Sequence, residues 1–223
     1  MRVPKPAARV PNEAAYRDTF VQNVHRLLGM GYEKVRRTFA GSDLKSKKEP
    51  KITGRLVEHM DKVIQDRASP DWVKDYQVQE DRRLNYDDKE GNDRQYIDME
   101  VVFRSPSGSW KYFHFEAKRI DGTASLAQYL NEAGLKSLLD NYYARGHEHA
   151  GMLGYVQAGA CEDWATDVKK ILGNCRKDYG LPPQGRYWSK RSDAPELVSS
   201  YTSSHPHALD CPKQIHHTFL LCH

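Results

Sequence analysis

The stretch YIDMEVVFRSPSGSWKYFHFEAKRI, residues 96–120, holds two apolar, strand-forming runs joined by a turn that contains Pro106 and Gly108. Both runs carry acids. Side chains alternate along a strand, so Ile97, Met99, Val101 and Phe103 fall on one side of the first run, with Asp98 and Glu100 on the other. In the second run Phe113, Phe115 and Ala117 oppose Tyr112, His114, Glu116 and Lys118. Glu116 and Lys118 therefore point the same way. Pairing through the turn brings Asp98 to the far end of the same ladder, where three ionisable groups meet.

Two carboxylates a few ångströms apart repel unless a cation sits between them. A hard divalent ion answers this, because Mg²⁺ takes oxygen ligands from one or two carboxylates, waters and phosphate oxygens. A lysine alongside orients water and offsets charge as a phosphoryl centre is attacked. Glu-x-Lys by itself is a common tripeptide that usually marks a solvated pair. Its setting argues for more, since the acid ends an aromatic run and Asp98 is embedded in the partner strand, where a charge needs partners.

The flanking sequence supplies the rest of an α/β domain. Phe20, Val24, Leu27 and Leu28 recur at helical spacing after an N-cap at Asn12, and Gly29 with Gly31 is expected to end that helix. The basic segment AGSDLKSKKEPK reads as a loop. A second helix starts near Pro50, buries Ile52, Leu56, Met60 and Val63, and places Glu49 at the head of its stripe, with Glu58 on the polar side. DYQVQEDRRL reads as a strand and NYDDKEGNDR as a loop. After the hairpin, Leu126, Leu130 and Ala133 share one helical stripe and Leu135, Leu138, Leu139 and Tyr142 another, which implies a break at Gly134. HAGMLGYVQ is a compact strand, and residues 161–178 read as a helix with Trp164, Val168, Ile171 and Leu172 inward. Residues 180–195 read as a loop, and ELVSSYTSSH and QIHHTFLLC as an appended hairpin.

At 223 residues the chain suits one full-sized core. A net charge of +4 and a pI near 8.7 permit a polyanionic partner without requiring one. Lys34, Arg36, Arg37, Lys45, Lys47, Lys48, Lys51 and Arg55 cluster early, which by charge alone reads first as a solvated face. No apolar run reaches the roughly 20 residues that span a bilayer, and the start lacks the apolar stretch of a signal peptide. Four cysteines without a CxxC pair point to free thiols in a reducing cytoplasm. His205, His207, Cys211, His216, His217, Cys222 and His223 lack the paired spacing of structural zinc. SSYTSSH reads as an exposed strand edge, and neither GxSxG nor GxxxxGK[ST] occurs.

The residues YIDMEVVF and FHFEAKRI resemble the aspartate strand and the (D/E)xK strand of the PD-(D/E)xK nuclease superfamily, with 18 positions between Asp98 and Glu116. The resemblance spans about residues 49–157 and implies a restriction-endonuclease-like αβββαβ core. That core is a mixed sheet flanked by helices, in a single domain with an N-terminal helical extension (1–48) and a C-terminal extension (158–223). It implies that Asp98, Glu116 and the backbone carbonyl of Ala117 bind Mg²⁺ or Mn²⁺, that Lys118 positions water, and that Glu49 is an accessory ligand. It further implies a nucleic-acid substrate, DNA before RNA, cut endonucleolytically, and a dimer addressing two strands. Ile97 replaces the name-giving proline. The Gln-x-x-x-Tyr signature of the exonuclease-like branch is missing, and Gln128 and Tyr129 stand adjacent instead, as candidates with Lys47, Lys48 and Lys51 for contacting nucleic acid. The rival readings are a nuclease-fold binding module without turnover and a subunit of a larger defence or repair assembly.

Overall fold

The computed structural model describes residues 13–38, 42–83, 96–105, 110–140, 146–209 and 211–223. The N-cap at Asn12, the NYDDKEGNDR loop, Tyr142 and the centre of the SPSGS turn lie outside them. The chain runs α1 (Glu13–Thr38), α2 (Ser42–Lys45), α3 (Glu49–Gln65), a 3₁₀ turn (Asp71–Asp75), β1 (Tyr76–Arg83), β2 (Tyr96–Arg104) and β3 (Trp110–Ile120). It continues with α4 (Thr123–Leu130), α5 (Leu135–Leu139), β4 (His149–Val156), α6 (Cys161–Asn174), β5 (Trp188–Lys190), β6 (Ser200–His205) and β7 (Lys213–Leu221).

One mixed sheet of seven strands, in the order β1-β2-β3-β4-β7-β6-β5, organises the molecule. β1, β2 and β3 form an antiparallel meander, while β3, β4 and β7 run parallel. A parallel step needs a crossover, and α4 with α5 supplies it between β3 and β4. Phe113, Phe115, Leu153 and Tyr155 face α1 and α3 in one apolar cluster. Met152, Val156 and Phe219 face α4 to α6 in the other. β4 is buried along nearly its whole length, as a central strand covered on both faces must be. Among the described residues no helix is long and apolar enough to cross a membrane.

Four expectations change. First, α1 does not stop at Gly29 and Gly31 but runs through both. A Cβ on Gly31 would lie 2.4 Å from Met60 Cγ, so this glycine lets α1 approach α3 closely, while Gly29 faces Glu196 and Ala194. Second, the basic loop contains the short helix α2. Third, the C-terminal strands are no appendage, because β7 pairs with β4 along its length and carries the sheet on to β6. Fourth, β5 forms inside the segment read as a loop, which leaves the SSYTSSH strand paired on both sides rather than exposed as an edge. The break near Gly134 is present, with α4 and α5 as separate helices.

Candidate active site

The β2–β3 ladder runs from Arg104 opposite Trp110 to Met99 opposite Phe115, and there it ends. The next pair would be Asp98 opposite Glu116. Beyond this point β2 stays with β1 as far as Tyr96, and β3 stays with β4 as far as Ile120. The two strands fork. Asp98 Oδ2 accepts the Ala117 N–H at 2.7 Å, so a side-chain oxygen satisfies a backbone donor in the fork. Past the fork Ile97 packs in the α4–α6 cluster, not with Met99 and Val101 as strict alternation predicts.

Four oxygens gather around the Lys118 ammonium in the fork. Its Nζ lies 2.5 Å from Glu116 Oε1 and 2.8 Å from the Ala117 carbonyl. It also lies 3.6 Å from Glu49 Oε1 and 3.8 Å from Asp98 Oδ2. Glu49 enters from the first turn of α3, where Pro50 suits the missing amide donors. Its other oxygen accepts the Arg119 N–H at 3.0 Å. Two residues that the sequence did not single out hold this helix end. The Thr53 hydroxyl donates to the Glu49 carbonyl at 3.2 Å and accepts from the Tyr155 hydroxyl at 2.9 Å. Gln157, just past β4, donates to the carbonyls of Leu44 and Lys47, both at 2.8 Å. The only sequence signal for Gln157 is a polar residue directly after an apolar strand.

Three carboxyl groups face one ammonium, which leaves a surplus of negative charge. Burial, then the nearby Asp98, pushes Glu116 up to about 9. Burial also raises Glu49, against the pull of Lys118. Burial works against the charged form of Lys118, but Glu116, Asp98 and Glu49 together hold its pKa above the usual lysine value, and it stays an ammonium. Among the described residues no group of three or more His, Cys, Asp and Glu side chains is arranged to hold a metal ion. The fork offers a smaller set, two carboxylates and a carbonyl, all oxygen and already closed around a cation. This donor chemistry fits Mg²⁺ or Mn²⁺, which need only one or two carboxylates.

One pair further along the same face, His114 Nε2 meets Glu100 Oε2 at 2.9 Å in a buried contact, and Arg82 lies 3.6 Å from Glu100. Of the candidate nucleic-acid contacts, Lys48 and Lys51 are exposed on either side of Glu49, Lys47 is half-buried, and Gln128 is exposed. Tyr129 is not available to a base. It is fully buried, stacks on Phe219 and donates to His217 Nδ1 at 2.9 Å. That bond begins a relay in which His217 Nε2–H donates to Ser203 Oγ at 2.7 Å and Ser203 to His205 Nε2 at 2.6 Å. His205 Nδ1–H ends it on the Tyr179 carbonyl at 2.6 Å. His216, on the opposite face of β7, instead contacts His149 and Arg191. No family model, curated protein or solved structure matches the chain.

Proposed function

We propose that this chain is a metal-dependent nuclease with a restriction-endonuclease-like core, cutting phosphodiester bonds internally in DNA in preference to RNA. The observation that carries the reading is the fork at Asp98 and Glu116, where acids on neighbouring strands and one lysine converge. The element order supports it, since α3 precedes an antiparallel three-strand meander and a helical crossover leads to a parallel fourth strand.

Asp98, Glu116 and the Ala117 carbonyl are the groups that would hold Mg²⁺ or Mn²⁺. When bound there, such an ion supplies Lewis acidity toward a phosphate oxygen and lowers the pKa of water. Lys118 sets a fixed positive charge against the negative charge that develops at phosphorus. Glu49 acts as a positioning residue, steadying β3 through Arg119 N–H and sharing the ammonium. Lys48 and Lys51 offer phosphate contacts at the rim.

The test is incubation of purified protein with plasmid DNA, linear DNA and RNA in Mn²⁺ or Mg²⁺. Circular plasmid should be cut, and Glu116→Gln or Lys118→Ala should slow cutting roughly 100-fold or more. Variants that cut at the wild-type rate overturn the assignment. One observation favours a second reading, a binding module without turnover: the Lys118 ammonium already pairs with Glu116 at 2.5 Å. That reading predicts retained nucleic-acid binding with no metal-dependent product.

A further inference from the structure

Three exposed large aromatic side chains stand on one hairpin: Tyr96 (38% exposed), Trp110 (46%) and Tyr112 (39%). The other large apolar side chains left exposed among the described residues are aliphatic, namely Val198, Leu209 and Leu221. Trp110 and Tyr112 occupy even-numbered positions of β3, so alternation sets them on the strand face that carries Glu116 and Lys118, while Tyr96 lies on β2 past the fork. Two have a guanidinium over the ring, Arg83 at 5.0 Å from the Tyr96 centroid and Arg104 at 5.5 Å from that of Trp110. Beside Trp110 and Tyr112 opens a cleft of about 300 Å³ whose other walls include Lys111, Arg17 and His147. Tyr112 and Glu116 are four residues apart on one strand, roughly 13 Å at about 3.3 Å per residue.

We propose that this hairpin face is a stacking platform for single-stranded nucleic acid, which holds a base at Trp110 and Tyr112 and leads the strand toward the acids. The rings and guanidinium groups of this face match that occupant. Unpaired bases offer π-faces that a duplex hides, and arginine over an aromatic ring pairs stacking with phosphate charge. An apolar partner surface would match the rings but not the cations around them. The proposal rests on the nuclease reading only in making the bound strand the substrate of the fork.

The test is titration of the full chain with a short oligothymidylate in EDTA at low salt, following tryptophan fluorescence. The other tryptophans, Trp72, Trp164 and Trp188, are half-buried or buried, so stacking at Trp110 should dominate any quenching. Quenching should occur and weaken as salt rises. Trp110→Ala should remove it and loosen single-strand binding by roughly 10- to 100-fold, with little change for a duplex of equal length. Trp110→Phe should retain most of the affinity, which separates stacking from any effect on folding. Three results overturn the proposal: no quenching, equal loss on single strand and duplex, or a fluorescence change that tracks protein concentration alone and so reports a second copy of the chain. Because EDTA excludes turnover, failure here leaves the nuclease reading standing. Conversely, wild-type protein that is quenched by the oligonucleotide but cuts nothing in Mn²⁺ removes the nuclease reading and keeps the platform.

Discussion

Asp98 has two jobs, one in folding and one in the chemistry of the site. As an acceptor it ties Ala117 N–H into the fork, and as a charge it faces Lys118. The two separate on mutation. Asp98→Ala should cost about 1–2 kcal/mol in urea denaturation, because it leaves the amide without its acceptor. Asp98→Asn keeps a carbonyl oxygen for the amide and should recover most of that stability while still losing metal-dependent cutting. If Asp98→Asn is as unstable as Asp98→Ala, the acceptor role is wrong. The convergence of Asp98, Glu116 and Lys118 was legible because a period of two leaves little freedom in where side chains point. Glu49 was legible from its place at the head of a helical stripe. Tyr129 was not, because a tyrosine on an amphipathic helix looks the same whether its hydroxyl meets solvent or a buried histidine. Its burial depends on His217, 88 residues away in sequence.

Among the helices, α1 and α3 approach closely at Gly31. Adding a methyl there gains about 1 kcal/mol of helix propensity. The new Cβ would nevertheless meet Met60 Cγ at 2.4 Å and Met60 Cα at 3.3 Å, and backbone cannot swing away. Gly31→Ala should therefore destabilise by roughly 1–3 kcal/mol. Combining it with Met60→Ala should show a favourable coupling in a double-mutant cycle, whereas strict additivity would mean the two helices do not meet there. This contact also explains why the sequence misled. A glycine pair after an apolar stripe is a sound stop signal for an isolated helix, and the reason to continue lies on α3, not in α1. The C-terminal hairpin misled in the same way. Its strands were visible, but that β7 lies parallel to β4 is a long-range choice with no local mark.

Across the whole molecule, histidines buried in neutral form make stability depend on pH. Burial lowers His25 and His205 to about 4 and drives His216 and His217 well below the usual value. In this window the unfolded chain binds protons that the folded chain refuses, so stability is full above about pH 6.5 and declines as pH falls toward 4. For His25 and for His205 the drop from 6.5 to about 4 corresponds to roughly 3 kcal/mol each. Denaturation midpoints measured from pH 7.5 to 4.5 should fall steeply, and Tyr129→Phe should weaken the relay through His217 without moving that window. A midpoint that holds steady across this range contradicts neutral burial. The order of charged and apolar residues along the sequence did not reveal these networks, since each closes between strands and helices far apart in the chain.

The proposed chemistry requires the forked strands to hold a hard cation between Asp98 and Glu116. Crystals soaked in Mn²⁺ and measured at the manganese absorption edge test it most directly. The expected result is one anomalous peak within bonding distance of both carboxylates and the Ala117 carbonyl, with the Lys118 ammonium moved from its place among them. Crystals that take up Mn²⁺ elsewhere, or that leave Lys118 seated against Glu116 with no peak in the fork, contradict it.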